Sequence, residues 1–274
     1  MKDRAISVAI TRVMNGVAEP TRDVAAEEEP LEIRLDGQVF AVIMRTPGAD
    51  RELTAGFLLS ERLITHPDDL GVIRYCTDAE GAAAPNVINV TLAPSAAGRV
   101  HHAVAERRMV TTNSSCGVCG RKSIDDLMTD VTPLADGWRI RGDVVTRLPD
   151  ALRQTQAVFD ATGGLHAAAL FGRDGALVAA AEDVGRHNAV DKVIGAQVLM
   201  ERLPLDDRLL FVSGRASYEI VQKALVAGIP CLAAVSAPSS LAVDLARRGG
   251  LTLLGFVRGG AFNIYTGAER VELS

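Results

Sequence analysis

The chain has 274 residues, with 48% hydrophobic and 4% aromatic content and a formal net charge of −5. That length buries a sizeable core in one large domain or two smaller ones, and the Ala-, Val- and Leu-rich filling suits buried strands packed by helices. The mildly acidic balance argues against a nucleic-acid-binding protein, and no run of about 18 apolar residues is present to span a membrane.

The start, MKDRAISVAITRVMNG, lacks a signal peptide's apolar core and cleavage site, so a cytoplasmic location is expected. Ile6, Val8 and Ile10 alternate weakly, and an acidic segment follows up to Pro30, which reads as an edge strand and a flexible connection. Leu31–Leu35 and Val39–Ile43 flank Asp36-Gly37 and read as a hairpin, because Asp-Gly favours the primed turns that join antiparallel strands. Asp50 opens a helix over roughly 51–64, and Val72–Tyr75 and Val87–Leu92 follow as strands. Residues 1–147 are therefore expected to form a smaller, β-rich α+β domain.

Near the end of that region lies Thr111–Leu127, TTNSSCGVCGRKSIDDL, with Cys116 and Cys119 in a C-x-x-C pair. A buried structural cysteine would sit in an apolar run, whereas this loop is polar and glycine-rich. Arg107, Arg108, Arg121 and Lys122 flank it, and a helix is expected near 123–130. Cations and a helix start both stabilise a thiolate, so the loop is a candidate for thiol or sulfur-transfer chemistry. Two other roles are open to such a pair. A structural zinc site needs four ligands, and Cys76 and Cys231 are isolated residues. A thioredoxin-like pair would sit inside a βαβ unit, whereas this one precedes the regular α/β run.

Trp138–Val145 reads as a strand and Leu148-Pro149-Asp150 as punctuation. A regular rhythm follows: helix 149–159, strands 165–171 and 177–182, helix 186–200, strand 208–213, helix 216–227, strand 231–235, helix 239–248 and strand 251–257. Residues 148–274 are expected to form a three-layer α/β/α domain. That order matches the zinc-dependent cytidine-deaminase fold, which needs H-x-E and P-C-x-x-C to hold its metal. Neither motif is present, so a deaminase-like fold without deaminase zinc is expected and no resident metal is assigned.

In place of metal ligands, Glu182–Lys192 (EDVGRHNAVDK) packs Arg186, His187, Asn188, Asp191 and Lys192 into a strand-to-helix junction. Ser213-Gly214-Arg215, Ser236–Ser240 and Gly255–Gly260 occupy the next three strand ends. Four such turns on one sheet predict a single crevice suited to phosphates. The plainer alternative is that they are tight turns and helix caps.

With these segments in hand, the chain resembles the FdhD family of formate dehydrogenase accessory sulfurtransferases. The resemblance rests on CGVCG at 116–120, TGGLHAA at 162–168, EDVGRHNAVDKVIG at 182–195, SGRASYEIVQKA at 213–224 and SAPSSLAVDLA at 236–246. It implies that a cysteine desulfurase loads sulfane sulfur onto Cys116 as a persulfide, with Cys119 resolving or relaying it. It further implies that the bound substrate is the bis(molybdopterin guanine dinucleotide) molybdenum cofactor. The resemblance also implies that Phe256, Val257, Arg258, Gly259, Gly260 and Ala261 would be the cofactor-binding stretch and that formate dehydrogenase would receive the product. A symmetric homodimer is expected, with neither a nucleic-acid nor a membrane partner. The alternative function is a maturation chaperone that holds the cofactor, its C-x-x-C serving as a structural clip.

Overall fold

A computed structural model of the chain describes residues 4–77, 81–96, 98–99, 133–135 and 137–273. Strands β1 (Ala5–Met14) and β2 (Val17–Ala26) form an antiparallel hairpin. Asn15 and Gly16 make its turn, with φ of 52° and 82°, as a primed two-residue loop requires. The expectation of one strand and a flexible connection is thus corrected. Asn15-Gly16 is itself a strong hairpin signal, but its flanking strands are mostly exposed and mix small, polar and apolar residues, so they show little pattern in sequence.

β3 (Glu29–Leu35) and β4 (Gln38–Arg45) form the expected hairpin around Asp36-Gly37. With β5 (Leu70–Thr77) and β6 (Ala83–Leu92) they make a four-stranded sheet in the order β4-β3-β6-β5, with β3 parallel to β6. Helix α1 (Asp50–Ser60) covers one face, its Leu53, Phe57 and Leu58 packing on Leu31, Ile33, Ile43 and Ile88.

In the C-terminal half, β7 (Ile140–Arg141) is far shorter than the predicted strand 138–145. The chain turns at Gly142 into α2 (Gly142–Arg153), which buries Val144, Val145, Leu148 and Leu152. That apolar spacing is helical and carries the helix through Pro149, which sequence reading had taken as its start. A separate helix α3 (Ala157–Thr162) follows, so the expected helix 149–159 is two helices. The expected division at 147/148 lies within α2.

β8 (His166–Phe171), β9 (Leu177–Asp183), β10 (Leu209–Val212), β11 (Cys231–Ala234), β12 (Thr252–Arg258) and β13 (Ala261–Thr266) form a sheet in the order β13-β12-β11-β10-β8-β9. Between them run α4 (Arg186–Val198), α5 (Tyr218–Val226) and α6 (Ser240–Arg248). β14 (Val271–Glu272) returns to pair in parallel with β7. Successive strand residues point to opposite sides. Leu210, Val212, Leu232 and Leu253 pack with α4, α5 and α6, while Phe171, Leu209, Phe211 and Leu254 pack with α2, Trp138 and Ile140. Helices on both faces explain why these strands read as unbroken apolar runs.

Helices α1 and α4 bring the two halves together at a close crossing. A methyl group added at Gly56 would lie 1.9 Å from the Asp191 carbonyl oxygen, and one at Gly195 would lie 1.8 Å from that of Glu52. Only glycine allows the two backbones to touch in this way. One hydrophobic cluster therefore runs from β3 through α1 and α4 to β10.

Candidate functional site

Cys116 and Cys119, with the flanking Arg107, Arg108, Arg121 and Lys122 and the helix expected near 123–130, lie outside the described residues. Cys231 is fully buried in β11, and burial pushes its thiol well above the usual range, which makes it inert. Cys76 is half-buried on β5, in the other sheet. Among the described residues no group of His, Cys, Asp and Glu has a metal-holding arrangement.

The sheet's topology decides what can meet. β10, β11 and β12 run parallel, β8 is antiparallel to β10, and β9 is antiparallel to β8. The ends of β9, β10, β11 and β12 and the start of β8 therefore share one edge. Backbone bonds stitch that edge together. Ser213 N donates to the Ala167 carbonyl at 2.9 Å, Val235 N to Val212 at 3.1 Å, and Phe256 N to Ser236 at 3.2 Å. The Ser213 hydroxyl also accepts from Ala167 N at 2.9 Å. All four turns read from the sequence lie here. A cleft of about 540 Å³ opens beside them, lined by Pro149, Arg153, Phe159, His166, Ser213 and Val235 among others.

The EDVGRHNAVDK segment divides between two tasks. Glu182 does not face a ligand: its carboxylate accepts from Val158 N at 3.1 Å and Phe159 N at 2.8 Å, fixing the start of α3. Asp183 meets Lys192 Nζ at 2.7 Å and accepts from Thr46 N at 3.2 Å and Asn188 Nδ2 at 2.8 Å. Asn188 also donates to the Met44 carbonyl at 2.8 Å, and Lys192 to that of Thr46 at 2.8 Å. Asp191 accepts Lys223 Nζ on both oxygens at 2.7 Å and the Ser60 hydroxyl at 2.8 Å. The expectation that all these groups converge on a ligand is corrected. Asp183, Asn188, Asp191 and Lys192 are buried with their partners and tie α4 to the N-terminal half.

Arg186 and His187, in the first turn of α4, stay on the sheet edge. Arg186 Nε, His187 Nε2 and the hydroxyl of Ser217 at the start of α5 are buried without hydrogen-bond partners among the described residues. Leaving a buried polar atom unsatisfied costs about 1–3 kcal/mol, so a bound ligand or water that completed these three would be favoured. The nearest carboxylate to His187, Glu219, stands at 3.8 Å, beyond hydrogen-bond reach. Burial, aided by the cations of Lys223 and Arg186, pushes the His187 imidazole down to about 4. Burial also lowers His166, together with Arg186 and Arg215. The edge thus combines two permanently charged guanidiniums with two imidazoles held neutral, a setting for phosphate oxygens and hydrogen-bonding heterocycles.

The stretch Phe256–Ala261 lies at the same edge. β12 is bulged between Gly255 and Arg258, and Phe256 holds a φ of 54°. Positive φ in a bulky residue is strained, and such strain concentrates at ligand sites. Val257 points into the core, while Arg258 is exposed with its guanidinium 5.5 Å from the Phe256 ring centre. Gly259 and Gly260 turn the chain into β13 at φ of 58° and 75°, with open space where a side chain would stand. Their smallness therefore serves the turn and leaves the backbone approachable. The fold brings Arg186, His187, Ser213 and Phe256–Ala261 to one sheet edge, where Ser217, Glu219 and His166, not singled out by the sequence, join them. A strand's direction, which decides which of its ends carries the site, is not written in its composition.

The profile of the FdhD/NarQ family matches residues 26–272. A protein of Streptomyces coelicolor named sulfur carrier protein FdhD is 52% identical over 269 residues, covering 96% of this chain and 94% of its own. The Mycobacterium tuberculosis protein of the same name is 51% identical over 253 residues, covering 90% and 91%. A solved structure from Desulfotalea psychrophila, assigned to the formate dehydrogenase accessory proteins, superposes with a TM-score of 0.76 at 25% identity over 98% of this chain and 99% of that one. A mixed α/β fold is thus shared across the full length, and the chain belongs to the FdhD/NarQ family.

Proposed function

We propose that the protein is a sulfur carrier that readies the molybdenum cofactor for formate dehydrogenase. The observation that carries this reading is near-complete coverage, at about half identity, by relatives named sulfur carrier protein FdhD. Cys116 is the carrier. Its thiolate attacks the terminal sulfur of a cysteine desulfurase persulfide, a new sulfur–sulfur bond forms on Cys116, and the donor's cysteine leaves as a thiolate. Cys119, three residues on, resolves or relays that sulfur. The bound substrate is the bis(molybdopterin guanine dinucleotide) form of the cofactor, and formate dehydrogenase is the client.

The strand edge supports the binding half of this proposal. Arg186, Arg215 and Arg258 offer cations to phosphates, and the unpartnered atoms of Arg186, His187 and Ser217 await donors and acceptors. Phe256–Ala261 supplies backbone that a dinucleotide can approach closely. The reading places the protein in the cytoplasm, as a symmetric homodimer matched to a cofactor with two nucleotide arms. It also places the C-terminal sheet and its helices in the cytidine-deaminase-like class, as a cofactor-binding domain after a β-rich N-terminal one.

The test is mass spectrometry of the protein after incubation with a desulfurase and cysteine. One added sulfur on the peptide containing Cys116 is expected, lost in Cys116→Ala. An alanine variant that still loads sulfur and still matures formate dehydrogenase refutes the assignment. A double Cys116→Ala, Cys119→Ala variant that matures the enzyme normally establishes a cofactor chaperone in its place.

A further inference from the structure

The cleft beside the sheet edge holds a buried polar group that the sulfur chemistry does not explain. Its volume of about 540 Å³ lies within the roughly 300–1,000 Å³ of small-molecule sites. Gln156, in the turn between α2 and α3, lines the cleft and is only 6% exposed. Its backbone N–H donates to the Arg153 carbonyl at 3.2 Å, but its carboxamide bonds no described residue. A buried amide in that condition is costly, and the cleft is the side from which a partner can reach it. A carboxamide sets an acceptor beside a donor, so it suits a partner with the reverse pair on one edge.

The rest of the lining is what a flat ring needs. Leu152 and Leu165 are buried apolar walls. Phe159 adds an aromatic face, with the Arg153 guanidinium 4.8 Å from its ring centre. Its backbone N–H is held by Glu182 at 2.8 Å, which fixes that wall to the end of β9. Flat heterocycles stack on aromatic and guanidinium planes of this kind. Asp150, exposed at the rim, contributes a carboxylate, which accepts hydrogen bonds and gives none.

His166 and Ser213 belong both to the cleft and to the sheet edge. A methyl group added at Gly214 would stand 3.5 Å from His166 Nδ1, so the turn after β10 lies against that ring. The charges of Arg186 and Arg215 both reach His166. The cleft therefore opens onto the cations of the edge.

We propose that the cleft is a heterocycle pocket in which Gln156 and Asp150 select the aminopyrimidinone edge that guanine and pterin rings share. That edge presents an oxygen acceptor, a ring N–H and an amino group in a row. Gln156 donates to the oxygen and accepts from the ring N–H, while the Asp150 carboxylate takes the amino group. Adenine lacks that amino group and has a ring lone pair in place of the N–H, so the carboxylate repels it. A diphosphate joined to the bound ring extends past His166 toward Arg186 and Arg215. The inference rests on the cofactor-carrier reading for its natural ligand and names the part of that ligand the cleft selects.

Titration calorimetry of the full chain with GDP, ADP and hydroxymethylpterin tests it. GDP is expected to bind at least about tenfold more tightly than ADP, and the pterin to compete with GDP for one site. Gln156→Leu is expected to weaken GDP and pterin about tenfold, with an unchanged far-UV spectrum. Asp150→Asn is expected to bring GDP and ADP within about threefold of each other. If the leucine variant loses its fold, Asp150→Asn, at an exposed position, decides. GDP or the pterin binding alone, weakened in the same variants, identifies which ring occupies the cleft. ADP binding as tightly as the better of the two, affinities that neither variant changes, or binding of neither probe overturns the proposal. Sulfur loading of Cys116 is measured separately on the unaltered chain. Loading without ring selectivity refutes the pocket alone, and selectivity without loading refutes the carrier alone.

Discussion

The two sides of helix α4 carry nearly the same residue types and do opposite things. Toward α1 and β4, Asp183, Asn188, Asp191 and Lys192 find every partner they need. Toward the strand edge, Arg186 and His187 keep nitrogen atoms that no described residue satisfies. A dense polar motif is therefore not by itself a site. The difference lies in whether the protein or something else completes the hydrogen bonds, and that is visible only once the fold is known.

The contrast is broken most forcefully from the paired side. Lys192→Met removes the cation from a wholly buried ion pair and leaves Asp183 uncompensated, so a loss of about 3–5 kcal/mol in urea unfolding is expected. Next comes His187. Its imidazole takes a proton near pH 6.5 in the unfolded chain but only near 4 in the folded one. Folding is thus favoured above pH 6.5 by this group, and the stability drains away as pH falls from 6.5 toward 4, by up to about 3 kcal/mol. His187→Gln should flatten that part of the stability profile measured between pH 7.5 and 4.5. If the slope persists unchanged, the neutral imidazole is not buried as described.

At the crossing, Gly195→Ala pushes a methyl group onto the Glu52 carbonyl, with an expected cost of about 1–3 kcal/mol by thermal or chemical denaturation. The smallest effects on stability belong to the edge. Ser217→Ala removes a hydroxyl that has no partner among the described residues, so stability should shift by no more than about 0.5 kcal/mol. Arg186→Gln should weaken binding of a nucleoside diphosphate about tenfold in titration calorimetry, with little change in unfolding. An Arg186 variant that unfolds like Lys192→Met would erase the division between the two sides.

How far the sequence foretold this follows the same line. The strands β8 to β12 are buried on both faces, so their apolar runs and the turns between them were legible. The hairpin at Asp36-Gly37 announced itself by turn chemistry. Its counterpart at Asn15-Gly16 was passed over because its strands are mostly exposed and carry a mixed pattern. Residues 138–145 look like a strand because Trp138, Ile140, Val144 and Val145 are all buried, but the last two are buried by a helix. The glycine-rich turns foretold the single sheet edge on which they meet. The split within EDVGRHNAVDK was not legible, because its partners Met44, Thr46, Ser60 and Lys223 are distant in sequence.

The glycine contact between α1 and α4 bears on how a bound ligand is felt elsewhere. Two helices separated by side chains can slide as those side chains change rotamer. Two helices whose backbones touch have no such slack, and Gly56 and Gly195 make that contact from both sides. A pull on Arg186 or His187 at the head of α4 is therefore handed to α1, and through it to the sheet beneath, as motion of one stiff beam.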